Sequence, residues 1–383
     1  MFRTKFPLLL ATAVGICGAA FALAQDIEKM EWFAPPDISF FGSTPRANEG
    51  FFFTFEGLAW HVNGPGKTTI GKEGATRLVY LSETVTAVET NSMTNGFIDG
   101  GFEGGYRFDV GNQGRHHGLH FSLFSLVRES DYFIAPGVSV VFHDPPFGES
   151  PPRYHLQGPI DEDLTNIQNL PVRFTELESR NWLDIWGLEL NYVYRMHPNR
   201  FGGFFELMGG VRYIEFDDKF AVYGRGGTLD ESRWTSVVEN HLVGPQVGGR
   251  WFRKFGRWTW SAESKFIFGF NQQNLRLEGF LGSNLDPTTL VQYQISNMGP
   301  TTFVYREHED EFSPAVELRI AFSYQVTSAI SARVGWTGIW IDNIGRASRT
   351  IDYTVPNMGI DTSKNSADYA FMNGVTFGID LNR

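Results

Sequence analysis

Large apolar side chains alternate with small or charged ones through much of this sequence. In FSPAVELRIAFSYQV, residues 312–326, Leu318 and Ile320 share one face of a strand, and Glu317 and Arg319 share the other. The same period of two occurs at residues 51–62, 97–109, 118–129, 184–195, 203–216, 237–251, 258–270, 330–340 and 373–381. The pattern predicts about ten β-strands, each of a length that crosses a bilayer at a tilt.

The connections between these segments alternate in length. The short ones are residues 109–117, 196–202, 252–257 and 326–328, and the long ones are residues 63–93, 130–179, 217–236, 272–311 and 342–370. Tight turns at one end and extended loops at the other are typical of an antiparallel membrane barrel. Residues 51–383 are therefore predicted to form one closed, all-β, antiparallel transmembrane barrel of about ten strands, within a range of roughly 8 to 12, with short periplasmic turns and long extracellular loops.

A soluble β-sandwich is the alternative, because its strands also alternate. Sandwich strands average about five or six residues, which is half the length of the segments here. Aromatic residues favour the barrel: Tyr194 and Trp258 lie beside short connections, whereas Trp186 and Phe270 lie toward long ones. Two such groups predict aromatic belts at the two polar boundaries of a bilayer.

The first residues have the features of an export signal. Arg3 and Lys5 precede an apolar stretch that ends at Ala22-Leu23-Ala24, so residues 1–24 are predicted to be a removable signal peptide. Residues 25–50 are predicted to be a periplasmic lead-in without regular structure. The single cysteine, Cys17, lies within the predicted signal, so the mature chain has no thiol for a disulfide or a metal. The expected location is the cell outer membrane.

The charge balance limits the possible partners. The formal net charge is -11, and no stripe of lysine and arginine is present, which argues against nucleic acid. The expected partners are outer-membrane lipid, the barrel assembly machinery and, if a path exists, small solutes.

Several motifs resemble a known family. The segments EGLAWHV, GFEGGYRFD, WGLELNYVYR, FFELMGGVRYIEFDD, FSPAVELRIAFSYQVT and GVTFGIDL are similar to segments of the outer-membrane beta-barrel porin family seven. The resemblance covers most of the chain from about residue 51 onward. It implies an outer-membrane barrel, and it supplies no catalytic residues.

Charged residues between the apolar positions are predicted to face the barrel interior. These are Asp99, Glu103, Arg107, Arg128, Glu189, Arg195, Glu206, Arg212, Arg250, Glu263, Lys265, Glu317, Arg319 and Arg333. A barrel of about eight strands leaves room only for side chains, and wide channels need sixteen or more. Two alternatives stay open: the charges pair as a structural network, or some of them line a path for small solutes.

Three functions are compatible with this pattern. The first is a narrow passive channel or structural membrane protein, and the second is a barrel-anchored surface binding or adhesion protein whose long loops carry the function. A hydrolase at the long-loop mouth is third, with His61, His241 and His308 as the histidines to consider. REHEDE around His308 has the composition of a solvated acidic loop. The protein is therefore predicted not to be an enzyme, with no catalytic, cofactor or metal residues.

Overall fold

The computed structural model of the protein describes residues 49–71, 76–81, 84–90, 93–126, 129–136, 139–143, 153–154, 156–157, 173–174, 176–199, 202–226, 230–283, 300–353, 358–363 and 368–382. The predicted signal peptide and the predicted lead-in up to residue 48 lie outside these residues. So does Arg128, one of the predicted interior charges.

The described secondary structure is almost entirely β. The strands are β1 (Gly50–Val62), β2 (Thr69–Ile70), β3 (Thr76–Leu81), β4 (Thr84–Thr90), β5 (Met93–Thr94), β6 (Phe102–Gln113), β7 (His117–Leu126), β8 (Glu129–Pro136), β9 (Ser139–His143), β10 (Arg153–Tyr154), β11 (Leu156–Gln157), β12 (Arg173–Phe174), β13 (Glu176–Arg195), β14 (Gly203–Arg225), β15 (Ser232–Phe255), β16 (Trp258–Ile267), β17 (Phe270–Leu281), β18 (Thr301–Phe312), β19 (Ala315–Gln325), β20 (Ile330–Asp342), β21 (Ile351–Asp352), β22 (Gly359–Ile360) and β23 (Tyr369–Asn382). Among the described residues, no helix is long and apolar enough to cross a membrane.

The large sheet closes on itself. Its strands follow the order β14, β13, β7, β6, β1, β23, β20, β19, β16 and β15, and β15 pairs again with β14. Every pairing in the barrel is antiparallel, and the first and last of its strands in chain order, β1 and β23, pair with each other. The predicted closed antiparallel barrel of ten strands is confirmed. Closure leaves no backbone edge unpaired in hydrocarbon, which is the condition for a sheet to span a membrane.

Two of the ten barrel strands are interrupted near a proline. β16 and β17 pair with β15 in one continuous register, and the gap between them lies opposite Pro245, whose oxygen accepts the Phe268 N–H at 3.0 Å. β18 and β19 are likewise separated only by Ser313 and Pro314. Proline has no N–H to donate to the ladder, so each strand loses a bond without changing direction.

A one-residue bulge separates β7 from β8, which continues β7 toward the long-loop end. Ser125 lies opposite Trp186, but Glu129 lies opposite Leu183, so four steps on one strand match three on β13. An extra residue reverses the alternation, because side chains change face at each step. Beyond the bulge, the exposed Tyr132 lies opposite the exposed Arg180.

The outer face of the barrel carries an apolar band. On β14, Phe205, Leu207 and Val211 are exposed and point outward, and the outward positions then become polar at Glu215 and Asp217. An apolar stretch of about nine residues matches the span of a tilted transmembrane strand. The band therefore covers only the half of β14 that adjoins the short turns.

Several strands extend beyond this band toward the long loops. We call these extensions, in β13, β14, β15, β17 and β18, the upper wall. The prediction of a loop at residues 217–236 is wrong, because β14 continues to Arg225 and β15 begins at Ser232. Most of the described part of the predicted loop 272–311 is also strand, in β17 and β18. Inward positions such as Phe220 and Trp234 stay apolar and fully buried there. The structure differs from the prediction because outward positions above a membrane face water, so the polar face is outside and the apolar face inside.

Candidate functional site in the barrel interior

Charged side chains from most of the strands fill the middle of the barrel. We call this set the charge layer. It consists of seven carboxylates and seven cations, namely Glu56, Asp109, Glu189, Glu206, Glu263, Glu317, Asp380, Arg107, Arg195, Arg212, Arg250, Lys265, Arg319 and Arg333. The equal numbers make the layer formally neutral.

Glu317 on β19 occupies the centre of the charge layer and is fully buried. One of its oxygens accepts a hydrogen bond from Arg107 Nη1 at 3.0 Å, and the other accepts one from Arg212 Nη1. Glu189 lies beside it, 3.3 Å from Arg107 and 2.7 Å from Lys265 Nζ. Pairing of this kind is required, because an isolated buried charge is costly.

The network extends from Glu317 toward the short-turn end. Arg319 donates to Glu56 at 2.9 Å, and Glu56 also lies 2.9 Å from Arg333, which approaches Asp380. On another part of the wall, Glu206 accepts from Arg195 and Arg250, each at 2.7 Å. Arg250, Arg333 and Asp380 retain 18–24% of their side-chain exposure, so water reaches the layer from this end.

Eleven of the fourteen predicted interior charges belong to the charge layer. Glu103 also lies on the inward face of β6, opposite the buried Trp60, but it forms no described ion pair with the layer. The prediction that Asp99 faces the interior is wrong, because Asp99 is exposed and precedes β6. Gly100 has φ +77° between Asp99 and the strand, which breaks the alternation that the sequence pattern assumed.

Three carboxylates of the charge layer were missed. Asp380 lies on β23 between the exposed Phe377 and Ile379 and the chain end, so the alternation there already placed it inward. Asp109 falls at the start of the predicted short connection 109–117, whereas β6 continues to Gln113. Glu56 belongs to β1, where apolar residues occupy both faces and obscure the alternation.

An apolar layer lies above the charge layer, toward the long loops. It is formed by Leu58, Trp60, Val62, Phe124, Leu126, Leu183, Ile185, Ile214, Phe216, Leu242, Ile267, Ala315, Ile339, Ile341, Ile344, Ala370 and Met372. All but Ile344 project from barrel strands, and Trp60 and Ile339 are fully buried. These side chains cannot leave the interior without unfolding the wall.

The chain turns into the barrel mouth after β20. We call residues 343–353 the mouth segment. Asn343 has φ +53°, and its carbonyl oxygen accepts hydrogen bonds from Ser313 Oγ at 2.7 Å and Gln273 Nε2 at 3.1 Å. Asparagine tolerates this left-handed conformation better than other non-glycine residues. The wall therefore holds the turn that directs the segment inward.

Polar side chains fix the mouth segment along its length. Asn240 exchanges hydrogen bonds with the backbone of Gly345, at 2.8 and 3.0 Å. Further along, Ala347, Ile351 and Tyr353 join an apolar cluster with Trp234 and other buried residues of the upper wall. The segment thus closes the mouth with both polar and apolar contacts.

Arg346 and Asp218 form the charged contact of the mouth segment. Both are buried; Arg346 Nη1 lies 3.9 Å from Asp218 Oδ2, and Arg346 Nη2 donates to the Asn63 carbonyl at 2.6 Å. Asp218 lies above the apolar band. Burial raises the pKa of Asp218 to about 6, although Arg346 and the Ala347 N–H oppose the shift.

The three histidines considered as catalytic candidates lie on different strands. His61 is on β1, His241 on β15 and His308 on β18. His308 Nε2 is 3.5 Å from Asp310 Oδ1, with both side chains about half exposed, and His241 Nδ1 is 2.8 Å from the Tyr213 hydroxyl. The described residues therefore bring no two of these histidines into one site. Nor do they contain a group of three or more His, Cys, Asp or Glu arranged to hold a metal ion.

The fold and the neutral charged interior define a transmembrane β-barrel of the outer-membrane type. The chain belongs to the family described as "Putative beta barrel porin-7 (BBP7)", whose profile matches residues 52–382. This confirms the resemblance found in the sequence. No curated protein matches the sequence.

Among solved structures, the chain is similar to several membrane barrels. The outer membrane protease OmpT from Escherichia coli has 11% identity and a TM-score of 0.43, over 89% of this chain and 100% of that one. A deletion mutant of the monoaromatic hydrocarbon channel TodX has 8% identity and a TM-score of 0.25, over 91% and 93%. A FadL homologue from Pseudomonas aeruginosa has 8% identity and a TM-score of 0.22, over 91% and 94%.

Proposed function

We propose that this protein resides in the outer membrane as a closed barrel that anchors and presents its long-loop end outside the cell. The observation that carries the proposal is the succession of charge layer, apolar layer and mouth segment along the interior. The first two layers are built from the strands themselves, so movement of a loop cannot open them. The upper wall and the long loops would then carry the function.

The remaining expectations fit this proposal. Lipid of the outer membrane would contact the apolar band, and the barrel assembly machinery would insert the strands. The proposed role is binding or adhesion at the surface, without catalysis, because the candidate histidines are scattered over the described wall. Family membership supports the barrel, and conduction is a separate property to be measured.

A narrow passive channel is the second candidate. The observation that favours it is the partial exposure of Arg250, Arg333 and Asp380 at the short-turn end. Water that reaches these charges has entered part of the lumen. A channel would also require a path past Trp60 and the rest of the apolar layer, whose described members are buried.

Cysteine accessibility distinguishes the two candidates. The only native cysteine, Cys17, falls in the predicted signal peptide, so single cysteines can be introduced without a background. Thr337 is fully buried inside the barrel opposite Arg319, and Thr235 lies on the outer wall of β15. In intact cells, an impermeant thiol reagent should label Thr235→Cys and leave Thr337→Cys unmodified. Labelling of both after urea denaturation is the reactivity control, and rapid labelling of Thr337→Cys in cells would support the channel.

A further inference from the structure

Just beyond the apolar band, the outer surface of the barrel differs in charge between its two ends. At the long-loop end, Asp184, Asp217 and Glu239 lie side by side on three adjacent strands, just above the apolar band. At the short-turn end, the described turns and their flanks carry cations, which we call the basic rim: Arg115, Arg253 and Arg257. The described parts of the turns after β6, β13 and β15 contain no carboxylate.

The basic rim is attached to the aromatic belt of the short-turn end. Arg253 follows Trp251 on the outward face of β15, and its guanidinium lies 4.0 Å from the centre of the Phe255 ring. Arg257 Nη1 donates to the Tyr324 hydroxyl at 3.2 Å. Amphipathic aromatic side chains mark the depth of lipid headgroups. The guanidinium groups are therefore held at headgroup depth.

The basic rim covers one side of the barrel. The turns after β6, β13 and β15 follow one another in the barrel order, and the turn after β13 adds His197, whose ring lies 4.8 Å from that of His116. The next turn, residues 326–329, has no charged residue. A one-sided patch favours a localised ligand over a uniform attraction to the bilayer.

We infer that the basic rim binds the phosphate groups of anionic phospholipids in the leaflet that adjoins the short turns. Guanidinium groups present several donors in a plane that matches phosphate geometry. Each Lys or Arg near an anionic membrane surface also gains from the surface potential. This inference needs only the transmembrane barrel and does not depend on whether the lumen is closed.

Lipid retention tests the inference. The mature chain is refolded into vesicles of phosphatidylcholine mixed with phosphatidylglycerol and extracted in mild detergent, and the retained lipids are counted by native mass spectrometry. The wild type should retain phosphatidylglycerol preferentially. The variant R115Q/R253Q/R257Q should lose this preference by about tenfold, and added salt should weaken it in the wild type.

A matched control distinguishes the loss of the basic rim from a general loss of positive charge. R180Q/R225Q/R276Q removes three cations that are about half exposed or more, from strands β13, β14 and β17 at the long-loop end, and should leave the preference unchanged. If the triple rim variant does not refold, Arg115→Gln alone should lower the preference, because Arg115 is exposed in a turn.

Three outcomes would overturn the inference. They are no preference in the wild type, a preference that survives the rim substitutions, and an equal loss in the control variant. The predicted lead-in, with four carboxylates and two cations in residues 25–48, is the competing occupant of the rim. If the preference appears only in a variant that lacks residues 25–48, the rim binds that segment instead of lipid.

Discussion

Arg107 of β6 and Glu317 of β19 meet across the barrel interior, with Arg107 Nη1 donating to Glu317 Oε1 at 3.0 Å. Three strands, β1, β23 and β20, separate the two along the shorter way around the wall. The contact therefore crosses the lumen and joins opposite walls. Contacts of this kind fill the lumen of the barrel with paired side chains.

Removing Glu317 should destabilise the barrel strongly. Glu317→Ala leaves Arg107 and Arg212 without their shared acceptor in a buried site, which typically costs about 3–5 kcal/mol. Urea unfolding followed by tryptophan fluorescence in lipid measures the loss. Glu307→Ala, at an exposed position on β18, should change the stability by less than about 0.5 kcal/mol. Equal stability of the two variants would contradict the network's structural role.

The left-handed turn at Asn343 should control closure of the mouth. Asn343→Val forces a β-branched residue into φ +53°, at a cost of about 1–2 kcal/mol, whereas Asn343→Gly keeps the conformation available. Both variants lose the hydrogen bond from Asn343 Nδ2 to the Phe312 carbonyl, so limited proteolysis within the mouth segment should accelerate more in the valine variant than in the glycine variant. Identical cleavage rates in both variants would show that this turn does not hold the segment.

The sequence could predict the barrel because alternation and loop asymmetry are local properties. It could also predict most of the charge layer, since an inward charge such as Glu317 stands between two outward apolar residues. The upper wall was not predictable by the same rule. Above the bilayer, Glu215 and Asp217 point outward while Phe216 and Phe220 point inward, so the meaning of the alternation reverses.

The mouth segment could not be predicted from local pattern. Its position depends on contacts such as Asn240 with Gly345, which are more than one hundred residues apart. No period marks residues 343–353, and the carbonyl of Asn343 is held by side chains from other strands. The basic rim had a signal in the short turns, but its placement beside Phe255 and Tyr324 required coordinates.

Asp217 should make the stability of the upper wall depend on pH. Burial, followed by Glu215 and Glu239, raises the pKa of Asp217 to about 7, and Asp184 adds to the shift while His241 opposes it. Because this pKa is raised above the unfolded value, the native state binds the proton more tightly. Stability should therefore fall as pH rises from about 4, the ordinary carboxyl pKa, to about 7.

The variant Asp217→Asn tests this pH dependence. It should be more stable than the wild type at pH 8, by about 1 kcal/mol after allowance for solvent screening, with the advantage gone near pH 4. Asp310→Asn, on an exposed part of β18, is the control and should have little effect at either pH. A pH-independent difference for Asp217→Asn would refute the assignment.

Single-channel recording in planar bilayers tests the closed interior most directly. The wild type should give no current steps above leak, and a variant with residues 344–367 replaced by a short linker should also stay closed, because Trp60, Phe216 and the charge layer project from the strands. An open porin of known conductance, recorded in the same lipid, should give steps and so validate the assay. Reproducible conductance steps from the wild-type protein would contradict the account.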